Sequence, residues 1–216
     1  MSQHRSIAGV RDRAKRLTRL TYRTQRPILP TRGELGILLN RRGLAGRGVE
    51  VGVKQGEFSQ TLLDLWRGRE LISVDPWAEA PTGAYIDVAN VSQSIHDAFY
   101  SEALERLARF GPRSSVWRQT GRAAAERVAE ASLDFVYLDA RHDRHSVAED
   151  LAVWYPKVRP GGLMAGHDYL DGRLEEGEFG VRSAVDEFFG SRNLAVHSTF
   201  SDPPWLSWFV LVPTCS

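Results

Sequence analysis

The sequence predicts one α/β domain built on a mostly parallel sheet, and three features support this prediction. Short apolar runs alternate with segments whose apolar residues recur every three or four positions, as in alternating strands and helices. A length of 216 residues with 42% hydrophobic content is enough for one sizeable core. The last two predicted strands are joined by a short loop, which predicts an antiparallel hairpin at the sheet edge.

The predicted strands are short apolar runs that begin and end at turn residues. In chain order they are residues 49–53, 71–75, 115–118 and 135–138, a fifth strand after the turn 160–162, and a final pair at 195–200 and 206–212. The predicted helices are residues 58–65, 91–110, 123–129, 147–155 and 181–189, with a lead-in helix at 31–40. Residues 172–180 are polar, acidic and rich in glycine, which predicts a mobile loop.

Charge divides the chain into a basic arm and an acidic body. Residues 1–33 carry nine basic residues and one acidic residue, a net +8, and the remainder carries 19 basic and 26 acidic residues, a net −7. We therefore expect an arm with a lead-in helix at residues 1–47 and a domain at 48–216. The arm is either a solvated segment or helix on the acidic body, or a contact for an anionic membrane surface, an acidic substrate or a second subunit. No specific nucleic-acid partner is expected, and a homo-oligomer remains open.

The chain also carries signals about its location. The arm lacks the continuous apolar run of a signal peptide, and no stretch is long enough to span a bilayer. Cys215 is the single cysteine, so it can form no internal disulfide. A cytoplasmic protein is the expectation.

Four side chains suited to metal binding or proton transfer follow the fourth and fifth predicted strands. Asp139 and His142 come after the fourth strand, and His167 and Asp168 close the fifth. The carboxyl ends of parallel strands meet at one edge of an open α/β sheet, where ligands bind. Carboxylates and imidazoles converging there indicate a divalent metal with a general base beside it.

A second group of residues, after the first two strands, indicates a nucleoside-containing cofactor. Gly52 and Gly56 lie in a turn between a strand and a helix, where the backbone can approach a ligand closely. Asp75 ends the second strand, where its carboxylate can accept both hydroxyls of a ribose. Glu50 adds a negative charge, which suits the sulfonium and ammonium groups of S-adenosylmethionine better than a pyrophosphate. A plain structural turn is the alternative.

Three further residues are weaker candidates for the same cofactor. Trp77, two residues after Asp75, could lie flat against the adenine or belong to the core. Gln119 and Gly121 follow the third strand, where the edge of the adenine would be met.

From about residue 48 to 213 the chain resembles the class I S-adenosylmethionine-dependent methyltransferases, and among them the metal-dependent O-methyltransferases. It is most similar to the branch that methylates sugar hydroxyls in macrolide and glycolipid biosynthesis, and more distantly to catechol O-methyltransferase. The motifs that carry the resemblance are Val49-Glu50-Val51-Gly52, Val74-Asp75-Pro76-Trp77, Asp139-Ala140-Arg141-His142, and Arg159-Pro160-Gly161-Gly162 leading into Gly166-His167-Asp168-Tyr169.

The resemblance implies a Rossmann-like sheet of seven strands with the last strand antiparallel and helices on both faces. It implies a divalent metal, Mg²⁺ before Mn²⁺, at Asp139, His167 and Asp168, with His142 as the general base. His167 stands where a carboxylate is usual, so its ligation is open. The serine that meets the cofactor's carboxylate in the family is displaced by one position here, because Phe58 takes its place and Ser59 follows.

The expected reaction is methyl transfer from S-adenosylmethionine to a hydroxyl of a small molecule, with a vicinal diol on a sugar or similar compound as the natural acceptor. Each site residue also has a simpler explanation. Asp139 could cap a helix, His142 could be an exposed histidine without function, and His167 could only orient Asp168. The alternative functions are a non-catalytic S-adenosylmethionine-binding module and a metal-dependent hydrolase.

Overall fold

The computed structural model describes residues 28–80, 88 and 90–214. Most of the basic arm, up to residue 27, and Cys215 lie outside the described residues. Expectations about the arm, its contacts and oligomerisation therefore stay predictions.

The main sheet has seven strands in the order β3-β2-β1-β4-β5-β9-β8. Strands β1 to β5 are parallel, and β9 lies antiparallel between β5 and β8. The predicted fold class is confirmed, with the terminal hairpin at one edge. The strands are β1 Arg47–Val51, β2 Glu70–Asp75, β3 Ser114–Arg118, β4 Leu133–Leu138, β5 Val158–Gly166, β8 His197–Ser198 and β9 Trp208–Leu211.

In the part of the chain that the structure describes, six α-helices and three 3-10 turns surround the sheet. The helices are α1 Leu35–Arg41, α2 Glu57–Leu65, α3 Gln93–Ala108, α4 Gly121–Glu126, α5 Arg144–Trp154 and α6 Val181–Gly190. The 3-10 turns are Arg32–Glu34, Gly111–Arg113 and Tyr155–Lys157. Among the described residues, no helix is long and apolar enough to cross a membrane.

The helices cover both faces of the sheet because consecutive strand residues point to opposite sides. In β4, Val136 and Leu138 pack with α4, α5 and α6, whereas Phe135 and Tyr137 pack with α1 and α2. Every residue of β4 is buried, and its sequence is apolar apart from Asp134 and the Tyr137 hydroxyl. The two faces of the sheet therefore carry two separate hydrophobic clusters.

The lead-in segment is part of this core. Leu29, Leu35, Leu39 and Leu44 are buried in the same cluster as α2 and β4. The turn before α1 is fixed by the Glu34 carboxylate, which accepts hydrogen bonds from the backbone N–H (3.0 Å) and hydroxyl (2.5 Å) of Thr31. Residues from 29 onward are thus held against the domain. Whether the domain itself begins at residue 48 stays a prediction.

The prediction of a mobile loop at residues 172–180 was wrong. The segment forms a two-stranded hairpin, β6 Asp171–Leu174 and β7 Gly177–Gly180. β6 is exposed along its whole length, so its sequence lacks the alternation of apolar and polar residues by which a strand is recognised. An ion pair between Arg173 and Glu178 links the two strands at 3.3 Å.

The strand ends that face the site are joined by backbone hydrogen bonds. The N–H of Asp139 donates to the carbonyl of Val51 at 2.7 Å, and the N–H of His167 donates to the carbonyl of Leu138 at 2.9 Å. Gly52 lies in this contact with φ of +87°. A Cβ atom there would lie 1.9 Å from the Asp139 carbonyl oxygen, so only glycine fits between the ends of β1 and β4.

We predict that Gly52→Ala destabilises the protein by about 3 kcal/mol or more, since it adds a backbone clash to the strain of a positive φ. Gly43→Ala is the matched control, because Gly43 also has a positive φ, +72°, but has open space around its Cβ position. Strain alone there should cost about 1 kcal/mol. Urea unfolding of both variants measures the difference, and equal losses would contradict the assigned contact.

Candidate active site

Asp75 orders the turn between β1 and α2. One oxygen of its carboxylate accepts hydrogen bonds from the backbone N–H groups of Val53 (2.9 Å) and Lys54 (3.0 Å), and the other accepts from Trp77 (2.7 Å). The turn itself needs positive φ angles at Gly52, Lys54 and Gly56. Asp75 thus lies at the predicted position beside the turn. Its binding of a ribose stays a prediction.

Glu50 is a buried carboxylate on β1, on the face that α2 covers. Its side chain is 1% exposed and accepts a hydrogen bond from the hydroxyl of Ser59. Ser59 also lies 2.8 Å from the hydroxyl of Ser73. Burial raises the pKa of Glu50 to about 8, against the opposing effect of the Ser59 hydrogen bond. A cation brought next to Glu50 would favour its ionised form.

The structure gives Ser59 and Trp77 interior positions. Ser59 is fully buried, and its hydroxyl is directed to Glu50 rather than outward. Trp77 is also fully buried, with its ring 4.8 Å from that of Tyr100 and its indole N–H donating to the Lys54 carbonyl at 2.8 Å. Both side chains support the turn from behind. Their direct contact with a cofactor stays a prediction.

Gln119 and Gly121 lie beyond β3, next to the same turn. The backbone N–H of Gln119 donates to the Asp75 carbonyl at 3.1 Å. Its side-chain amide nitrogen is buried and has no hydrogen-bond partner among the described residues. Gly121 begins α4, and a Cβ there would lie 3.3 Å from a carboxylate oxygen of Asp150. Burial raises the pKa of Asp150 to about 6.

Asp139, His142 and Asp168 converge at the ends of β4 and β5. Each offers one ligand atom, and these atoms lie within 4.8 Å of one another. His142 Nε2 lies 3.0 Å from Asp168 Oδ2 and 3.9 Å from Asp139 Oδ1. Two carboxylates and an imidazole at this separation suit a divalent cation.

His167 lies on the other side of Asp168. Its Nδ1 is 2.8 Å from Asp168 Oδ1 and 3.8 Å from Asp139 Oδ1. Burial alone would raise the pKa of Asp168, but hydrogen bonds and positive charge from His142 and His167 hold it well below its usual range. Asp168 also has φ of +51°, an uncommon backbone conformation for an aspartate that closes a strand. All four predicted groups therefore meet at one edge.

The β6–β7 hairpin holds His142 in place. The ring of Phe179 stacks on the imidazole with centroids 5.0 Å apart and an interplanar angle of 19°. The N–H of Gly180 donates to the His142 carbonyl at 2.9 Å. Trp205 lies behind Phe179, with ring centroids 5.7 Å apart. The hairpin thus fixes both the backbone and the ring of His142.

Sequence reasoning missed one residue of the site, Arg32. Its Nη1 lies 2.9 Å from Asp139 Oδ2, and its guanidinium lies over the Phe58 ring, 5.0 Å from the centroid. Burial alone would lower the pKa of Arg32, but Tyr137 and Asp139 raise it above its ordinary value. The signal in the sequence was Thr31-x-x-Glu34, a capping box that fixes the turn containing Arg32.

A small pocket opens beside these groups on the side of α5 and α6. Asp139, His142, His167 and Asp150 line it together with apolar side chains such as Val181. This pocket therefore borders the cluster at the ends of β4 and β5.

Residues 49–169 match a protein family described as a methyltransferase domain. The match covers more than half of the chain, from β1 to the residue after Asp168. The chain belongs to this family. The expected class, the class I S-adenosylmethionine-dependent methyltransferases, is confirmed.

Solved structures of methyltransferases share the fold of this methyltransferase domain. TomG from Streptomyces achromogenes, an O-methyltransferase of tomaymycin synthesis in complex with S-adenosylmethionine, is 18% identical with a TM-score of 0.57, covering 84% of this chain and 79% of that one. The 1,6-didemethyltoxoflavin-N1-methyltransferase of Burkholderia thailandensis, with S-adenosylhomocysteine bound, is 15% identical with a TM-score of 0.55, and the match covers 99% of this chain and 93% of that one. An O-methyltransferase family protein from the same organism is 12% identical with a TM-score of 0.58, covering 86% and 60%.

One curated relative was found by sequence, the uncharacterized protein y4gI of Sinorhizobium fredii. It is 30% identical over 94 residues, which cover 40% of this chain and 10% of the relative. The match therefore spans about a tenth of that protein's length.

Glu50 gives the methyltransferase domain a pH dependence that can be measured. Because the folded-state pKa of about 8 lies above the ordinary value of 4.5, the folded state is favoured when Glu50 is protonated. Without cofactor, its contribution to stability is present below pH 4.5 and is lost as the pH rises toward 8. Glu50→Gln should therefore gain stability relative to the wild type over this window, by on the order of a few kcal/mol.

Urea unfolding of the wild type and Glu50→Gln at several pH values from 4.5 to 9 tests this expectation. The difference in free energy of unfolding between the two proteins should grow with pH and level off above 8. A difference that is constant across the range would contradict the burial of an unpaired carboxyl at this position.

Proposed function

We propose that this domain transfers a methyl group from S-adenosylmethionine to a hydroxyl of a small molecule carrying a vicinal diol, with a divalent metal, Mg²⁺ before Mn²⁺, at the site. The observation that carries the proposal is the convergence of Asp139, His142 and Asp168 at the strand ends beside the Gly52–Gly56 turn. Two of the fold neighbours are O-methyltransferases by name, which supports oxygen as the acceptor atom.

The residues present fit both implied groups. The turn at Gly52 and the carboxylate of Asp75 fit a ribose, and the buried carboxyl of Glu50 fits a cationic ligand end. The buried, unpartnered amide of Gln119 fits the edge of a base. Asp139 Oδ1 and Asp168 would hold the metal, with His167 Nδ1 as a further ligand. A divalent cation bound there would lower the proton affinity of a hydroxyl.

His142 is the proposed general base. Its Nε2 lies close to the same carboxylate oxygens, so an acceptor hydroxyl bound between Asp139 and Asp168 would be within reach of it. In the structure Nε2 lies 3.0 Å from Asp168 Oδ2. With a cation on that carboxylate in place of the Nε2 proton, neutral Nε2 would be free to take the hydroxyl proton, and the imidazolium formed would lie beside Asp168. Phe179 excludes water from one face of the ring and fixes its plane. With S-adenosylmethionine bound, the deprotonated oxygen would form a bond to the methyl carbon as the bond from that carbon to sulfur breaks, which would leave S-adenosylhomocysteine.

The two alternative functions make less use of these residues. A non-catalytic cofactor-binding module has no need of His142 held against two carboxylates. A metal-dependent hydrolase has no need of Glu50 and Asp75 around the turn after β1.

We predict that the wild type forms S-adenosylhomocysteine from S-adenosylmethionine with vicinal diols, tested on a panel of sugars, sugar nucleotides and catechols. Excess chelator should abolish the reaction, and Mg²⁺ or Mn²⁺ should restore it. His142→Ala should lower kcat by roughly a hundredfold or more. Its affinity for Mn²⁺, read by electron paramagnetic resonance, should change less than threefold.

Asp64→Asn serves as the surface control, since Asp64 is exposed and pairs with Arg109 away from the site. Full activity in excess chelator would refute the proposed requirement for a divalent metal. A loss of Mn²⁺ affinity in His142→Ala that parallels the loss of kcat would instead assign His142 as a metal ligand.

A further inference from the structure

The edge of the sheet that faces the site is strongly acidic, and this limits what can bind there. Glu50, Asp75, Asp139 and Asp168 lie at or just after the carboxyl ends of four neighbouring strands. A sulfonium and an ammonium group suit such an edge. The α-carboxylate of an amino acid does not, unless a cation of the protein lies beside it.

Arg32 is a cation in that position. Its guanidinium contacts Asp139 Oδ2 through Nη1 and lies over Phe58 in the first turn of α2. It is near enough to Glu50 to oppose the rise in the pKa of that carboxyl. A guanidinium has five N–H donors, and its contacts with Asp139 and the Tyr137 hydroxyl do not use them all. About a third of the Arg32 side chain (35%) remains open to solvent, so it can accept an anionic partner.

The hydroxyl expected to hold the cofactor's carboxylate is not free for that role. Ser59 donates to Glu50 inside the protein, and Phe58 takes the position before it. The guanidinium of Arg32 lies directly over this phenylalanine. The Phe58 ring and the Thr31–Glu34 turn hold Arg32 in one orientation, which reduces the entropy lost when it binds an anion.

We propose that Arg32 binds the α-carboxylate of S-adenosylmethionine, while the carboxylate of Glu50 on β1 balances the charge of the ammonium group. Arg32 and Glu50 together match an amino-acid zwitterion, and a planar guanidinium can hold a carboxylate through two parallel hydrogen bonds. This inference rests on the proposed cofactor. It adds a cofactor-binding role for a residue of the lead-in segment, outside the region 49–169 that the family match covers.

The test compares two ligands that differ only in the carboxylate: S-adenosylhomocysteine and its decarboxylated analogue. Calorimetry should show that the wild type binds S-adenosylhomocysteine at least tenfold more tightly than the analogue. Arg32→Gln should lower the affinity for S-adenosylhomocysteine by roughly ten- to a hundredfold, the usual range for the loss of a charge-assisted contact. It should change the affinity for the analogue less than threefold. The affinity of Arg32→Lys for S-adenosylhomocysteine should lie between those of the wild type and Arg32→Gln.

Arg109→Gln is the matched control, since Arg109 forms a surface pair with Asp64 and should leave both affinities unchanged. The proposal fails if Arg32→Gln lowers the affinity for both ligands equally, or lowers neither. It also fails if the wild type does not distinguish the two ligands, a result that needs no variant to fold. A wild type that binds neither ligand would overturn the proposed cofactor itself, whereas binding of S-adenosylhomocysteine without discrimination would overturn only the role of Arg32.

Discussion

Four carboxylates at the carboxyl edge of one sheet are the constraint on which the rest of the site depends. The parallel register of β1, β2, β4 and β5 brings them together, and each would repel the others without compensation. The structure compensates each one differently: Asp75 accepts three backbone N–H groups, Glu50 stays neutral through burial, and Asp139 pairs with Arg32. Asp168 lies between two imidazoles. The remaining negative potential is what a sulfonium, an ammonium and a divalent metal would neutralise.

The order of the elements, apart from the β6–β7 hairpin, and the convergence of the four candidate groups at the ends of β4 and β5 were predictable from sequence. Short apolar runs that end in Asp75, Asp139 or Asp168 carry both the strand signal and the chemistry, because a charged residue closing a buried strand needs a partner. The turn at Gly52 was also predictable as a place of close approach, although the group that it approaches in the structure is the backbone of Asp139.

What sequence reasoning missed depends on contacts between distant segments. Arg32 counted only as one charge of a basic arm, yet it lies against Asp139, 107 residues away. Phe179 was in a segment predicted to be a loop, yet it stacks on His142. The inward direction of Ser59 follows from the burial of Glu50 beside it. Local periodicity carries no information about such pairs, because each depends on the packing of a whole element against another.

We propose that Asp139 and Asp168 hold a divalent cation between the ends of β4 and β5. Electron paramagnetic resonance titration of Mn²⁺ in the presence of S-adenosylhomocysteine tests it without requiring the acceptor. The wild type and Asp64→Asn should bind one Mn²⁺, and Asp168→Asn should bind it at least tenfold more weakly with the fold unchanged by circular dichroism. A wild type that leaves Mn²⁺ free, or an Asp168→Asn variant that binds it equally well, would contradict the claim.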